Sequence, residues 1–381
     1  MLAAMDAASV PVEEKVQAAV AAGLRYVSDQ EPGIRRLRHG RGFAYRDADG
    51  KAVRDKATLA RIRALAVPPA WTDVWICADA DGHVQASGRD ARQRKQYRYH
   101  AQWSTARGNG KFDHVVGFGE ALPTLRRCLR RDWKRDGFPR DKVLAIVVGV
   151  MAETLIRVGN PEYARSNKSY GLTTLKNRHV AFLAGGRARF RFRGKGGLEH
   201  DVVLDDKRLA TLVRRCQQLP GQALFQYQDD AGETVPVDSG EVNAYLRASM
   251  GADYTAKDFR TWGATLAAFQ RLAQTTLPLK KDGTPASERD HVSVQNAIIR
   301  DVAGALGNTL AVCRKSYIDP AVFAGWRDGS LQRAAARARG ERQWELAALR
   351  FLRRAHRALT APKNRARKPR RAEDTAGRGH A

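Results

Sequence analysis

The spacing of apolar residues changes near residue 105 and divides the chain into two parts of different construction. Before this point, short alternating runs lie next to the Asp-Gly pairs 49–50 and 81–82, an arrangement typical of β-hairpins. The strand patterns are residues 42–46, 75–78 and 83–86, and the helical patterns are residues 12–27 and 56–66. Residues 1–105 are therefore predicted to form a small α+β domain built around a sheet.

Helical spacing dominates from residue 112 onwards. The helical patterns cover residues 121–133, 141–158, 207–219, 239–250, 257–273, 292–306, 309–317 and 343–359. Three strand patterns lie among them, at residues 179–183, 187–193 and 199–203. Residues 106–360 are predicted to form a mainly helical domain with a small antiparallel sheet, which places the whole chain in the α+β class.

The last residues, 361–381, are rich in Arg, Lys, Pro and Gly and contain almost no large apolar side chain. Such a segment cannot bury enough apolar surface to offset the conformational entropy that is lost on folding. It is predicted to be a disordered basic tail.

The net charge limits the partners that this chain can have. It contains 67 Lys and Arg residues against 40 Asp and Glu residues, which gives a formal net charge of +27. This surplus favours a polyanion, so the candidates are DNA, RNA and an anionic membrane. The longest apolar run, residues 144–151, is far shorter than the ~20 residues of a membrane-spanning helix. A membrane is therefore not expected as a partner.

The N-terminal residues and the cysteines indicate a cytoplasmic protein. Asp6, Glu13 and Glu14 lie where a secretion signal would need basic residues and an apolar core. The four cysteines are scattered, without a Cys-x-x-Cys pair or a histidine at ligand spacing. This pattern disfavours a zinc site and a disulfide framework, and we expect reduced thiols.

Tyr317 is the first candidate for chemistry, because it ends a short helical pattern just before Pro320. The residue before a proline avoids the helical region, so the helix should end here and present the tyrosine. A phenol with a pKa of about 10 is a weak nucleophile unless cations stabilise the phenolate. Arg314 and Lys315 are near in sequence. The alternative is a half-buried tyrosine whose hydroxyl is hydrogen-bonded within the fold.

Two arginines could bind phosphate. Arg260 follows Thr255 and Asp258, a pair that predicts a capping box, so it should lie near the positive end of a helix. Its guanidinium fork suits phosphate oxygens, although a solvated surface arginine is the alternative. Arg157 is predicted to end an apolar helix, where a cation is stabilising for purely structural reasons.

A lysine and an asparagine add a proton donor and an amide. Lys195 lies at the predicted tip of a hairpin, where its ammonium could protonate a leaving alkoxide or could simply be exposed. Asn308 follows Gly307, and Thr309 is a good N-cap, so one helix should end and another begin here. This break could place Asn308 and Tyr317 on one surface, although Asn308 could also be a plain helix cap.

Residues 93–100 alternate basic and aromatic side chains, which suits a strand whose side chains reach phosphates and base edges. A charged edge strand that discourages aggregation is the alternative. The candidate DNA-binding residues are Arg94, Lys95, Gln96, Tyr97 and Tyr99 from this segment, together with Lys257.

The order of these residues along the chain resembles the type IB DNA topoisomerases, in particular the poxvirus-like group found in bacteria. The matching segments are LIRVGN (155–160), YGLTTL (170–175), RGKGG (193–197), KDFRTW (257–262), LGNT (306–309) and AVCRKSYI (311–318). In the N-terminal part they are GIRR (33–36), PPAW (68–71) and KQY (95–97). The resemblance covers roughly residues 25–330.

The resemblance implies a role for each candidate. Tyr317 would attack a phosphodiester of duplex DNA and form a 3′-phosphotyrosyl bond. Arg157 and Arg260 would stabilise the transition state, Lys195 would be the general acid, and Asn308 would donate to a nonbridging oxygen. No cofactor, metal, ATP or small-molecule substrate would be required. The two parts would close as a monomeric clamp around DNA, joined near residues 103–112, in a nucleoid-associated enzyme.

Some residues depart from the family pattern: Leu310 replaces a common proline, Asp319 a common histidine and Lys168 a common glycine. None of them is a candidate catalytic residue, so they affect the expected rate and local order rather than the expected activity. Two other readings stay open: a site-specific tyrosine recombinase and a non-enzymatic basic DNA-binding protein. Recombinases usually carry histidine at the position of Lys257, and their N-terminal domain is helical.

Overall fold

The computed structural model describes residues 12–91, 93–104, 112–229 and 231–360. The described N-terminal part contains helix α1 (Val12–Ala21), strands β1 (Ile34–His39) and β2 (Gly42–Arg46), helix α2 (Lys56–Ala64), and strands β3 (Thr72–Ile76), β4 (Val84–Arg89) and β5 (Lys95–Tyr99). The five strands form one antiparallel sheet in the order β2-β1-β3-β4-β5. This agrees with the predicted small α+β unit.

Strand β3 is the centre of this sheet, and apolar residues cover both of its faces. Val74 and Ile76 pack on one side with Ile62 of α2, whereas Trp75 packs on the other side with Val27. The alternation of side chains along a strand explains how neighbouring residues belong to different clusters. Each of these two apolar clusters contains few buried residues, so both are needed to stabilise the sheet.

Strand β1 was not among the predicted strands, and its sequence IRRLRH shows why. Only Ile34 is buried in this strand. Arg36 lies across the strand end and donates to the carbonyls of Val67, Pro68 and Trp71. Strand β2 pairs with β1, and the turn of this hairpin lies between His39 and Gly42. The Asp49-Gly50 pair, which had indicated a hairpin, forms a turn outside it. The predicted β3–β4 pairing is confirmed.

The second part is mainly helical, as predicted. Its first segment contains α3 (Asp113–Asp132), α4 (Arg140–Thr154), α5 (Pro161–Asn167), β6 (Val180–Leu183), β7 (Arg187–Arg193), β8 (Glu199–Leu204) and α6 (Lys207–Gln217). The remainder contains β9 (Gln226–Gln228), β10 (Thr234–Pro236), α7 (Ser239–Met250), α8 (Ala256–Ala273), α9 (Glu288–Leu306), α10 (Leu310–Ser316), α11 (Pro320–Arg327), α12 (Ser330–Ala335) and α13 (Gly340–Thr360).

The strands of this part form two antiparallel sheets, one in the order β6-β7-β8 and one of β9 and β10. Sequence patterns predicted the first sheet, whereas they did not indicate β9 and β10, which are three residues each. The short helices α5 and α11 were also missed. Each begins with a proline after a capping side chain, Asn160 or Asp319, and this signal could have found them.

Helix α4 is the centre of the second part. Every residue from Lys142 to Met151 is buried, so this stretch of the helix has no solvent face, as is typical of a central core helix. It packs against α3, α6, α7, α8 and the β8 and β9 strands. Among the described residues, no helix is both long and apolar enough to cross a membrane. The predicted boundary between residues 105 and 106 and the predicted tail 361–381 lie outside the described residues.

Replacing Leu144 of α4 by alanine should destabilise the second part strongly, because the side chain is 1% exposed and its removal leaves a cavity. The expected loss is about 2–5 kcal/mol of the free energy of unfolding. Leu346→Ala is the matched control, since Leu346 is 41% exposed and the same change there should cost much less. Urea unfolding of both variants measures the difference, and equal losses would contradict the placement of α4.

Candidate active site

Tyr317 lies where the sequence predicted, at the end of a short helix. Gly307 ends α9 in the left-handed conformation with φ of 59°, and Thr309 then caps α10 by accepting from the amide of Val312. Tyr317 is the C-terminal cap of α10, and its amide donates to the carbonyl of Cys313. The break at 307–309 thus turns the chain before the tyrosine, as expected.

A threonine of α8 fixes the backbone on both sides of this tyrosine. The buried Thr265 hydroxyl donates to the carbonyl of Tyr317 at 3.1 Å and accepts from the amide of Asp319 at 3.1 Å. Sequence reasoning missed Thr265, because its two partners are more than fifty residues away. The tyrosine therefore lies on a segment that is held in place, not on a loose helix end.

Asp319, the departure from the family pattern, is part of the same support. It is 2% exposed, caps α11 by accepting from the amide of Ala321, and lies 2.7 Å from Nε2 of His356. His356 belongs to α13, a helix that sequence analysis had placed outside the resemblance. The aspartate thus connects the tyrosine segment to the C-terminal helix.

Arg260 lies beside the tyrosine, near the start of α8. Its guanidinium is 5.2 Å from the centroid of the Tyr317 ring and donates to the carbonyls of Leu155 and Leu306. Leu155 follows the end of α4 and Leu306 ends α9, so the cation bridges two helix C-termini, where positive charge is favourable. Arg260 is 4% exposed, which excludes the reading as a solvated surface arginine.

Arg157 does not end a helix, and this part of the prediction was wrong. Helix α4 stops at Thr154 because Leu155 adopts the left-handed conformation with φ of 54°, so Arg157 lies in the extended segment that follows. There its Nη2 donates to Oδ1 of Asn308 at 2.6 Å. Burial, together with the charge of Arg260, lowers the pKa of Arg157 to about 10.

Two buried donors of this cluster have no hydrogen-bond partner within the described residues. They are Nδ2 of Asn308 and Nε of Arg260. A buried donor without a partner is costly, and such groups occur where a ligand completes the hydrogen bonding. Because Oδ1 of the Asn308 side chain already accepts a hydrogen bond from Arg157, Nδ2 of the same side chain is the atom that remains to donate to a ligand oxygen. This arrangement excludes the plain helix-cap reading of Asn308.

The charges around Tyr317 favour its phenolate. Burial raises the pKa of the phenol, but the positive charges of Arg260, Arg157 and Lys257 outweigh burial, and the net pKa lies below its ordinary value. Cations stabilise the ionised form of a neighbouring acid in this way. The hydroxyl group of Tyr317 is therefore ionised more readily here than an ordinary tyrosine hydroxyl is.

Lys195 is exposed on the turn between β7 and β8, so its predicted position at a hairpin tip is confirmed. The hairpin reaches the cluster next to its turn, since His200 of β8 packs between Gly194 and Gly307. Sequence reasoning did not consider His200. Arg157 thus contacts Asn308, and Arg260 contacts Tyr317. The two pairs interact electrostatically, and His200 connects the hairpin of Lys195 to them.

The candidate DNA-binding segment is strand β5, at the edge of the N-terminal sheet. Its basic and polar side chains bind carboxylates: Lys95 pairs with Asp29 at 2.7 Å, and both Arg94 and Gln96 bind Asp90. The rings of the two tyrosines, Tyr97 and Tyr99, are stacked with centroids 5.9 Å apart. Lys257 lies in the first turn of α8.

Comparison with known proteins gives the family. The family described as "Eukaryotic DNA topoisomerase I, catalytic core" matches residues 100–329, and "Bacterial DNA topoisomerase IB, N-terminal domain" matches residues 42–90. The chain is 32% identical to DNA topoisomerase 1B of Acanthamoeba polyphaga mimivirus over 75% of its own length and 85% of that protein. The chain belongs to the type IB DNA topoisomerase family. It is a DNA topoisomerase, an isomerase that acts on DNA.

A more distant member of the type IB topoisomerase family confirms the poxvirus-like character. DNA topoisomerase 1B of Vaccinia virus (strain Copenhagen) is 25% identical over 63% of this chain and 72% of that protein. The catalytic-core match contains all five candidate catalytic residues, whereas α13 with His356 lies beyond it. Neither the recombinase reading nor the non-enzymatic reading is favoured by these relatives.

Replacing Lys257 by glutamine should shift the dependence of DNA cleavage on pH. If Tyr317 attacks DNA as its phenolate, cleavage increases as pH rises through the pKa of Tyr317, and Lys257 contributes to holding that pKa low. Without this charge the curve should move to higher pH, so that cleavage at the lower pH values falls several-fold. Single-turnover cleavage at saturating DNA measures the curve.

Lys134→Gln is the control for this change, because Lys134 is an exposed lysine beyond the end of α3. It should leave the curve in place. A shift of equal size in both variants would show that overall charge, and not the environment of Tyr317, controls the pH dependence.

Proposed function

We propose that this enzyme relaxes supercoiled duplex DNA by transient cleavage of one strand through Tyr317. The observation that carries this proposal is the contact of Tyr317 with Arg260, next to the Arg157–Asn308 pair whose amide donor is unoccupied. A phosphodiester that enters this cluster would meet a nucleophile, two cations and a hydrogen-bond donor.

In the proposed cleavage step, Tyr317 loses its hydroxyl proton to solvent, its phenolate Oη attacks the phosphorus atom, and the bond from phosphorus to the 5′ oxygen breaks. The tyrosine becomes linked to the 3′ side of the nick, and the ammonium of Lys195 gives its proton to the departing 5′ oxygen. Arg157, Arg260 and Asn308 stabilise the nonbridging oxygens, which carry the charge in such a transition state.

Religation is the reverse of this step. One phosphoester bond is exchanged for another in each direction, so the phosphotyrosyl ester retains the energy of the DNA linkage. The reaction as proposed therefore requires no ATP, and the three cations supply the charge that a metal ion supplies in other phosphoryl transferases. Between cleavage and religation, rotation of the free strand end removes supercoils.

The proposed partner is duplex DNA, held by a monomer that closes as a clamp. Residues 1–105 would supply the DNA-binding domain, in which the edge strand β5 and the residue before it contact the duplex through Arg94, Lys95, Gln96, Tyr97 and Tyr99. Residues 106–360 would form the catalytic domain, in which Lys257 also contacts DNA. The net charge of +27 supports binding through many phosphates. We place the enzyme on the nucleoid in the cytoplasm.

Tyr317→Phe should abolish relaxation of supercoiled plasmid and leave DNA binding intact, because only the attacking oxygen is removed. The assay contains EDTA and no ATP, and agarose gels measure relaxation by wild type and variant. Denaturing gels of wild type should show a covalent protein–DNA adduct that is missing from the variant. Residual relaxation by the pure variant would falsify the assignment of Tyr317.

Binding should weaken steeply as salt increases, with a slope of about −0.9 in log affinity against log salt for each neutralised phosphate. The Tyr317→Phe protein is used, so that covalent attachment does not affect the measurement. Lys95→Gln should reduce the slope by about 1, as expected for one lost phosphate contact. Lys51→Gln, in an exposed turn of the same sheet, is the control. A flat response to salt contradicts the clamp.

A further inference from the structure

The imidazole of His200 fills a space between two glycines, and each glycine directly precedes a proposed catalytic residue. A Cβ atom on Gly194, before Lys195, would lie 2.4 Å from Cδ2 of this ring. A Cβ atom on Gly307, before Asn308, would lie 2.5 Å from Cε1 of the same ring. Both distances are far below van der Waals contact, so the ring touches both backbones directly.

The ring is itself held in a fixed orientation. His200 and Phe192 are opposite each other on β8 and β7, and their rings stack with centroids 4.9 Å apart and an angle of 4° between the planes. Such cross-strand pairs stabilise a sheet and restrict the side chains. Because Phe192 is buried, the imidazole has little freedom to move away from the two glycines.

The charges near the ring keep it neutral. Burial lowers the pKa of His200, and the positive charges of Arg157 and Arg260 lower it further. A neutral ring can stay packed beside two guanidinium groups, whereas a protonated one would repel them. The neutral imidazole thus serves as a flat spacer in a site that already contains several cations.

We propose that His200 is a positioning residue that sets the Lys195 hairpin against the Asn308 turn, so that the proton donor and the amide donor face the same phosphate. The proposal rests on the catalytic roles given above to Lys195 and Asn308. It also explains why Gly194 has no side chain although its φ of −98° lies in the extended region that other residues adopt.

His200→Ala should lower single-turnover DNA cleavage roughly 10- to 100-fold, the loss expected when reacting groups are misplaced by about 1 Å. Two substrates separate this effect from a loss of folded protein: the ordinary phosphodiester, and one in which sulfur replaces the 5′ bridging oxygen. A thiolate leaves without protonation, so it makes the general acid unnecessary. The defect of His200→Ala should be clearly smaller with the sulfur substrate.

A fraction of unfolded protein lowers both rates by the same factor and leaves their ratio unchanged. Lys195→Ala is the reference, because its defect should largely disappear with sulfur. If Lys195→Ala is not relieved by sulfur, the proposed role of Lys195 is wrong. If Lys195→Ala is relieved and His200→Ala loses the same factor on both substrates, the role of His200 is wrong while that of Lys195 stands. His114→Ala, at an exposed histidine of α3, is the matched control.

A size exchange tests the contact itself. Gly194→Ala should reduce cleavage because its Cβ atom displaces the imidazole, and His200→Ala should partly restore the rate in the double variant. The rate of the double variant should exceed the product of the two single effects. If the cleavage rate of the double variant equals the product of the two single effects, the imidazole does not set the position of the hairpin, and the proposal is overturned.

Discussion

The hydrogen bonds of the Arg260 guanidinium to two helix ends are the interaction on which the site depends. The carbonyls of Leu155 and Leu306 come from segments 151 residues apart in sequence, and one side chain joins them. The chain continues from Leu155 to Arg157 after α4, and from Leu306 to Asn308 and Tyr317 after α9. Arg260 therefore organises the other groups in addition to contributing its own charge.

This arrangement has an electrostatic cost that the free protein cannot avoid. Burial disfavours the charge of Arg157, and the nearby positive charge of Arg260 adds to the effect. Helix-end carbonyls and the Asn308 side chain offset part of this cost. An anion that binds near these arginines offsets the remaining electrostatic cost. A site of this kind can stabilise the additional negative charge of a transition state more than it stabilises the ground state. The depressed pKa of Tyr317 has the same origin.

Local sequence rules predicted those parts of the site that depend on neighbours in the chain. The glycine-to-threonine break before Tyr317, the capping box before Arg260 and the hairpin of Lys195 all follow from short patterns, and the structure has them. Arg157 was misplaced because Leu155, a residue that rarely adopts positive φ, ends α4 at Thr154, four residues before the predicted end at residue 158. The helical spacing of apolar residues continues to residue 158, although the helix itself has ended at Thr154.

The supporting residues could not be found in this way, because their partners are distant. The supporting residues Thr265, His200 and His356 contact parts of the site that are distant in sequence. No local pattern in their own segments distinguishes them from other residues. The same is true of strand β1, which belongs to the sheet through Arg36 and its carbonyl partners and not through an apolar pattern. Predictions from local patterns thus gave the candidate catalytic groups and did not give the residues that hold them in place.

The contact between Asp319 and His356 has a consequence for how the enzyme is made. Tyr317 is synthesised before α13, and His356, which contacts Asp319 of the same segment, is synthesised only with that helix. Because translation proceeds from the N-terminus, a chain that stops between these two residues contains Tyr317 without this support. A chain that ends before α13 keeps the two hydrogen bonds of Thr265 to this segment and lacks the contact with His356.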